Sequence, residues 1–208
     1  MKLVDMKICE YLDVLKSNAP APGGGSVSAL AGAQGVALFM MVTDLTIGRE
    51  RYADFQQVCI DAKAKGEALY ADLVAAIDKD TDAYNLVAEA FKLPKDSDEE
   101  KAARTAAIRS ATLEATKVPF SVMELGLDAL LVTKELVGMS NPNASSDLGV
   151  CALNLVSAIK GAWLNVKINL PGIKNPEIEA DFASKGAKIL AECEVIADEI
   201  YSGVVESL

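Results

Sequence analysis

The sequence predicts an all-α protein: an elongated up-and-down helical bundle that assembles as a homodimer. Three observations point there. Of 208 residues, 51% are hydrophobic but only 5% aromatic, so the core has to come from aliphatic and small side chains, which suits closely packed helices. Apolar residues recur at steps of three and four over long stretches, the helical period. There is no β-rich run, low-complexity tail or internal repeat. The length is that of one domain, residues 1–208. Helices this long, with apolar faces this broad, call for a second chain to cover them.

Leu3 to Lys16 reads as a short amphipathic helix with Leu3, Met6, Ile8, Leu12 and Leu15 toward one side. Asn18 to Gly25 ends it, because two prolines and three glycines do not continue a helix cheaply. Helix resumes from Ser26 to about Ile47, and its small residues Ser28, Ala29, Gly32, Ala33 and Gly35 admit a neighbouring backbone closely. The most lipid-like run, Val27 to Val42, is short, contains Gln34 and is followed by Asp44. A membrane span needs about 20 strongly apolar residues, so this is expected to be a buried helix of a soluble chain.

Glu50 to about Leu93 is a very long helical pattern. Its seam runs Phe55, Val58, Ala62, Leu69, Leu73, Ala76, Asp80, Tyr84, Val87 and Phe91, which puts a carboxylate on the seam itself. Gly66 and the polar run Asp78 to Asp82 are candidate bends or breaks. Leu93 to Ser97 is a loop, and Ser97 or Asp98 caps the next helix, which runs to about Gly138 with Pro119 as a kink or break. Ser140 to Asn143 is a turn. Asn143 or Ser145 opens a helix to about Val166, Leu170 to Ile173 is a loop, and Pro176 to Val205 closes the chain as a charged helix.

There is no histidine. That excludes a Ser-His-Asp triad, a Cys-His dyad and an HExxH zinc site, and leaves acid–base work to Asp, Glu, Lys, Tyr or Cys. The net charge is −10, a field that repels phosphate backbones and anionic membrane surfaces, so neither nucleic acid nor membrane is an expected partner. A cationic substrate suits it; an anionic one needs a local basic patch. Cys9, Cys59, Cys151 and Cys193 are scattered without a CxxC pair, which reads as reduced thiols. The amino-terminal residues lack the apolar core of a signal peptide. A cytoplasmic protein is the expectation.

Four features are candidates for chemistry. Gly23, Gly24, Gly25 and Ser26 precede a helix, where free backbone N–H groups hold a carboxylate, phosphate or carbonyl, or where they simply make a tight turn with Ser26 as N-cap. Asp147 begins an otherwise apolar helix and shares a stripe with Cys151, Asn154 and Asn165, beside the purely apolar stripe Leu148, Ala152, Leu155, Ile159, Ala162 and Val166. That is a pocket wall, or an acidic residue placed by the helix dipole. Asp80 on the seam is costly unless paired, functional or solvated at a bend. Lys167, with Lys160 and Lys174, is a local basic cluster for an anionic tail, or a set of solvated lysines.

Together these segments resemble the cyclodeaminase/cyclohydrolase family, which includes the C-terminal half of formiminotransferase-cyclodeaminase and stand-alone methenyltetrahydrofolate cyclohydrolases. The residues that carry the resemblance are Ala21-Pro22-Gly23-Gly24-Gly25-Ser26-Val27-Ser28-Ala29, Asp78 to Tyr84 with Leu93-Pro94-Lys95, Ala115 to Pro119, and Asn141-Pro142-Asn143 through Asp147 to Asn165-Val166-Lys167-Ile168-Asn169-Leu170. They follow the family's order along essentially the whole chain. The resemblance implies an all-helical homodimer acting on a tetrahydrofolate derivative, with no metal and no separate cofactor, and it points to Asp147 as the catalytic group.

Two reactions fit that resemblance: hydration of 5,10-methenyltetrahydrofolate to 10-formyltetrahydrofolate, or closure of 5-formiminotetrahydrofolate with loss of ammonia. The chain is too short for a formiminotransferase domain as well, which favours the cyclohydrolase. The expected roles are Asp147 as general base, Asp80 assisting or orienting, Gly23, Gly24, Gly25, Ser26, Asn143 and Asn165 against the pterin, and Lys167 at the anionic tail or an oxygen. A non-catalytic helical dimerisation module is the competing class; it accounts for the alanine-rich faces but not for the polar stripe or Asp80.

Overall fold

A computed structural model describes residues 2–208. A 3-10 turn at Leu3–Asp5 leads into α1 (Ile8–Leu15), followed by α2 (Gly24–Asp44), a 3-10 stretch Glu50–Phe55, α3 (Gln56–Lys92), α4 (Asp98–Leu136), a 3-10 turn Pro142–Ala144, α5 (Ser145–Ile173) and α6 (Pro176–Ser207). No strand occurs among the described residues. Helices α2, α3, α4 and α5 form an up-and-down four-helix bundle in which α5 returns to pack on α2, and α6 lies along α4 and α5. The helices start where capping chemistry tells them to. Ser97 and Glu100 form a capping box at α4, and the Asn175 side chain accepts from the Glu177 and Ile178 N–H groups ahead of Pro176.

Small residues set the spacing of α2 against its neighbours. A Cβ on Gly35 would come within 2.8 Å of Leu155 Cγ, one on Gly32 within 3.0 Å of Leu73, and one on Gly161 within 2.5 Å of Ser28 Oγ. The predicted apolar stripe of α5, Leu148 to Val166 in steps of three and four, is buried along its whole length. Its centre, Leu155 and Ile159, is fully enclosed.

The helices continue through more of their punctuation than the sequence suggests. Helix α3 passes through Gly66 and Asp78 to Asp82 without a break; Gly66 instead makes room for Phe39 and Met40 of α2. Pro119 lies buried inside an unbroken α4. A proline there leaves the Ala115 carbonyl without its helical donor, and Asn169 of α5 replaces it, donating from Nδ2 to Ala115 O at 3.1 Å. The loop expected at Leu170 to Ile173 is helix: Leu170 and Ile173 are buried, and this packing carries α5 through Pro171 to Lys174, whose left-handed φ of 57° ends it.

Two further expectations shift. Residues 3–5 and 50–55 are 3-10 rather than α-helical. The α3 seam is buried at Leu69, Leu73 and Ala76, but past Asp80 it turns outward: Tyr84 and Phe91 are exposed, and Ala83 and Ala90 face inward instead. Beyond that point α3 and α4 continue as a two-helix hairpin tied by Arg104, whose Nη2 donates to the Phe91 carbonyl at 3.1 Å.

Helix α2 and the segment Pro142–Ile173 are each long and apolar enough to span a bilayer. Much of their apolar surface packs into the bundle, yet the outer face they share stays apolar, with Val27 and Met41 on α2, Leu45 just past its end, and Val150, Leu153, Leu164 and Ile168 on α5 exposed. Three of the four cysteines are buried; burial pushes the Cys151 thiol up to about 12 and the Cys193 thiol up to about 11.

Candidate functional site

The predicted site residues fall at the two ends of the antiparallel α2–α5 pair. At the first end α2 begins with Gly24, and Ser26 sits fully buried in its first turn rather than capping it. The Ser26 N–H donates to Asp80 Oδ2 at 2.9 Å, and its hydroxyl lies 2.8 Å from the Ile77 carbonyl and 3.1 Å from the same Asp80 oxygen. The other Asp80 oxygen presses on Gly25, where any Cβ would overlap the carboxylate. Gly25 is therefore explained locally: it lets α3's carboxylate reach the positive end of α2. The anion held at this helix start is the chain's own Asp80. Burial lifts the Asp80 carboxyl above its ordinary range, and the two Ser26 hydrogen bonds pull against that rise.

On the other flank of the same turn, Asn165 of α5 lies against Gly24, 3.1 Å from where a Cβ would stand. Its Nδ2 donates to the Gly161 carbonyl at 2.9 Å. Tyr11 of α1 closes over this end; its hydroxyl is buried without a hydrogen-bond partner, and burial, reinforced by the charge of Asp80, raises its pKa. The Leu3 N–H, bonded to Asp78 Oδ1 at 2.6 Å, pins the amino-terminal segment in place.

The second end is organised around Asn141, which is buried. Its side-chain oxygen accepts from the Tyr52 hydroxyl at 2.6 Å and from the Asn143 N–H at 3.1 Å, while its own N–H donates to Thr46 Oγ1 at 2.9 Å. Asn143 is exposed, and Asp147 stands half-buried in the first turn of α5, a position the helix dipole favours. The Arg51 guanidinium lies 4.5 Å over the Tyr52 ring. Asp147 and Asn165 lie eighteen positions apart on α5, about 27 Å along the axis at 1.5 Å per residue.

Within one chain, then, the fold brings Gly24, Gly25, Ser26, Asp80 and Asn165 together and sets Asn143 and Asp147 apart from them, so Asp80 does not sit beside Asp147. Gly23 precedes the cluster as the N-cap of α2. The stripe of Asp147, Cys151, Asn154 and Asn165 is largely the seam with α2 rather than an open wall: Gly161 meets Ser28 and Ala158 meets Gly32. Lys167 lies on the α6 side, its Nζ 5.6 Å from the Trp163 ring centroid, and Trp163 in turn covers Gly186 of α6. Lys160 pairs with Glu194 at 2.8 Å.

Tyr11, Tyr52, Arg49 and Arg51 were not among the predicted residues. The Asn-Pro-Asn turn is a visible signal for the second end, but nothing local links Tyr52 to a partner 89 positions away. Among the described residues no group of three or more Cys, Asp or Glu side chains is arranged to hold a metal ion.

The family profile described as formiminotransferase-cyclodeaminase matches residues 7–188. A methenyltetrahydrofolate cyclohydrolase of Methylorubrum extorquens is 35% identical over 194 residues, 93% of each chain. The formimidoyltransferase-cyclodeaminase of Sus scrofa is 32% identical over 87% of this chain, which spans only 34% of that larger protein. A crystal structure of formiminotetrahydrofolate cyclodeaminase from Thermotoga maritima superposes with a TM-score of 0.79 at 26% identity, covering 98% of this chain and 96% of the other.

Proposed function

Because the chain belongs to the formiminotransferase-cyclodeaminase family, we propose that it is a methenyltetrahydrofolate cyclohydrolase, hydrating 5,10-methenyltetrahydrofolate to 10-formyltetrahydrofolate in the one-carbon metabolism of the cytoplasm. The observation that carries this reading is the end-to-end similarity, 93% of both chains, to a cyclohydrolase. The chemistry suits a chain without histidine. The methenyl carbon belongs to an amidinium-like cation and is already electrophilic, so the protein has to position a water, accept its proton and stabilise charge. The water oxygen bonds to the bridge carbon as a carboxylate takes one of its protons, giving a neutral carbinolamine; the remaining hydroxyl proton is then lost as the bond from that carbon to N5 breaks and N5 gains a proton, leaving the formyl group on N10, N5 as N–H and one net proton released to water.

Asp147 is the general base in this proposal. Asp80, fixed by Ser26, supplies negative charge that favours the cationic bridge, with the Gly23 to Ser26 backbone, Asn143 and Asn165 around the pterin. The functional unit is a homodimer joined through the outer α2–α5 face. The exposed apolar side chains of that face support it, as does the division of the polar residues between its ends: a twofold axis across the helices sets the Asp147 end of one copy against the Asp80 end of the other. The complete site is then shared between copies, with no nucleic acid or membrane involved.

The test is loss of the methenyl chromophore with purified protein, run beside ammonia release from 5-formiminotetrahydrofolate. Rapid loss of the first without the second is the expected result. The second reading, a cyclodeaminase, is favoured by the fold-wide match to the Thermotoga maritima enzyme, and ammonia release would establish it. Acceleration of neither reaction would leave a non-catalytic dimerisation module.

A further inference from the structure

Every one of the ten ion pairs among the described residues uses a lysine, and none uses an arginine. In a chain with 30 acidic and 20 basic residues, two arginines without an acidic partner lining one cleft are unexpected. Arg49 and Arg51 are such a pair. They line a cleft of about 590 Å³ with Leu45, Gly48, Glu50 and Asn141. Gly48 turns the chain with φ of 74°, a conformation that favours glycine.

The cleft is braced from beneath. Arg51 lies over the Tyr52 ring, Tyr52 is held by its 2.6 Å bond to Asn141, and Asn141 is held by Thr46. A guanidinium anchored in this way loses little freedom when it meets a planar anion, and its fork of donors matches a carboxylate. Glu50 is the one acidic side chain lining the cleft, and it makes no ion pair with either arginine. Of the lysines expected to hold an anionic tail, Lys160 is already paired and Lys167 lies against Trp163.

We propose that the Arg49–Arg51 cleft is a carboxylate-binding subsite that holds the glutamate tail of the folate substrate. This rests on the folate reading above, and the two are tested separately. The first readout is binding of p-aminobenzoyl-triglutamate, a tail fragment without a pterin, by calorimetry to the intact protein. The second is KM and kcat for mono- and triglutamyl methenyltetrahydrofolate.

Arg49→Gln/Arg51→Gln is expected to weaken the fragment about tenfold or more, to raise KM more for the triglutamyl than for the monoglutamyl substrate, and to leave kcat within about twofold. Glu50→Gln should shift affinity the opposite way, tightening the fragment, a change that a general loss of folding cannot imitate. Lys95→Gln, in the exposed loop before α4, is the control that should change nothing. Failure of wild-type protein to bind the fragment, or equal binding by wild type and the double variant, overturns the subsite. If wild type binds the fragment through the arginines but turns over no folate, the subsite stands and the cyclohydrolase reading falls.

Discussion

At the Gly24 end of the α2–α5 seam the chain tucks a carboxylate under a helix start; at the Asn141 end it buries only neutral polar groups and keeps its charges at the rim. Asp80 is desolvated, and its ionised form is held by Ser26 and the α2 dipole. Asn141, Tyr52 and Thr46 form a neutral network, and Asp147, Arg49 and Arg51 surround it with more access to water. The difference teaches how one seam yields two kinds of polar site. Close approach of backbones, made possible by glycine, creates a confined charge. A proline-containing turn and a short 3-10 stretch create a rigid rim on which charges can meet a ligand.

The sharpest way to break this comparison is Asp147→Asn. In the role of general base proposed for it, its loss should lower turnover by on the order of 10²-fold or more, with little change in thermal stability because the group is only half-buried. Near wild-type hydration of methenyltetrahydrofolate by this variant would move the base elsewhere, with Asp80 as the first alternative. Gly25→Ala strikes the other end through geometry. Its methyl group has to displace the Asp80 carboxylate, and we expect a loss of about 1–3 kcal/mol, read by denaturant unfolding. An unchanged midpoint would mean that Asp80 can swing away freely.

Asp80→Asn separates charge from shape. The Asp80 carboxyl has a raised pKa in the folded protein, so the folded state holds this proton more tightly than the unfolded chain does. This residue's contribution to stability is therefore fully present below the unfolded value of about 3.9 and is lost as pH rises through the folded value. The amide has no such dependence. Its melting temperature should exceed that of wild type most at neutral pH, and the gap should close as the pH falls toward 4; a gap that widens in acid would contradict a desolvated Asp80. The smallest effect belongs to Tyr52→Phe, which removes one donor from Asn141 while the Asn143 N–H remains. A loss of about 1 kcal/mol is expected, with a rise in KM for polyglutamylated substrate if Arg51 loses its footing.

Much of the bundle was legible in local pattern. The apolar stripe of α5 reads straight off the steps from Leu148 to Val166, and Asp80 stood out because a carboxylate broke a run of aliphatic seam positions. The Gly23 to Ser26 run and the Asn141 to Asp147 turn both marked places where polar groups gather. What misled was punctuation. Pro171 announced a loop, but buried Leu170 and Ile173 keep the helix; Pro119 announced a kink or a break, and no break occurs because Asn169 supplies the missing donor.

The sequence by itself determined the helical class, the identity of the groups available for proton transfer and the family, since composition, period and ordered motifs are properties of the chain alone. Only the tertiary structure decided which of those groups meet. Ser26 reaches Asp80 across 54 positions and Tyr52 reaches Asn141 across 89, pairings that no local pattern announces. Helical periodicity fixes the direction in which a side chain points but carries no information about the level at which the neighbouring helix presents its own. That level is set by packing, here by the small residues that bring α2 against α3 and α5.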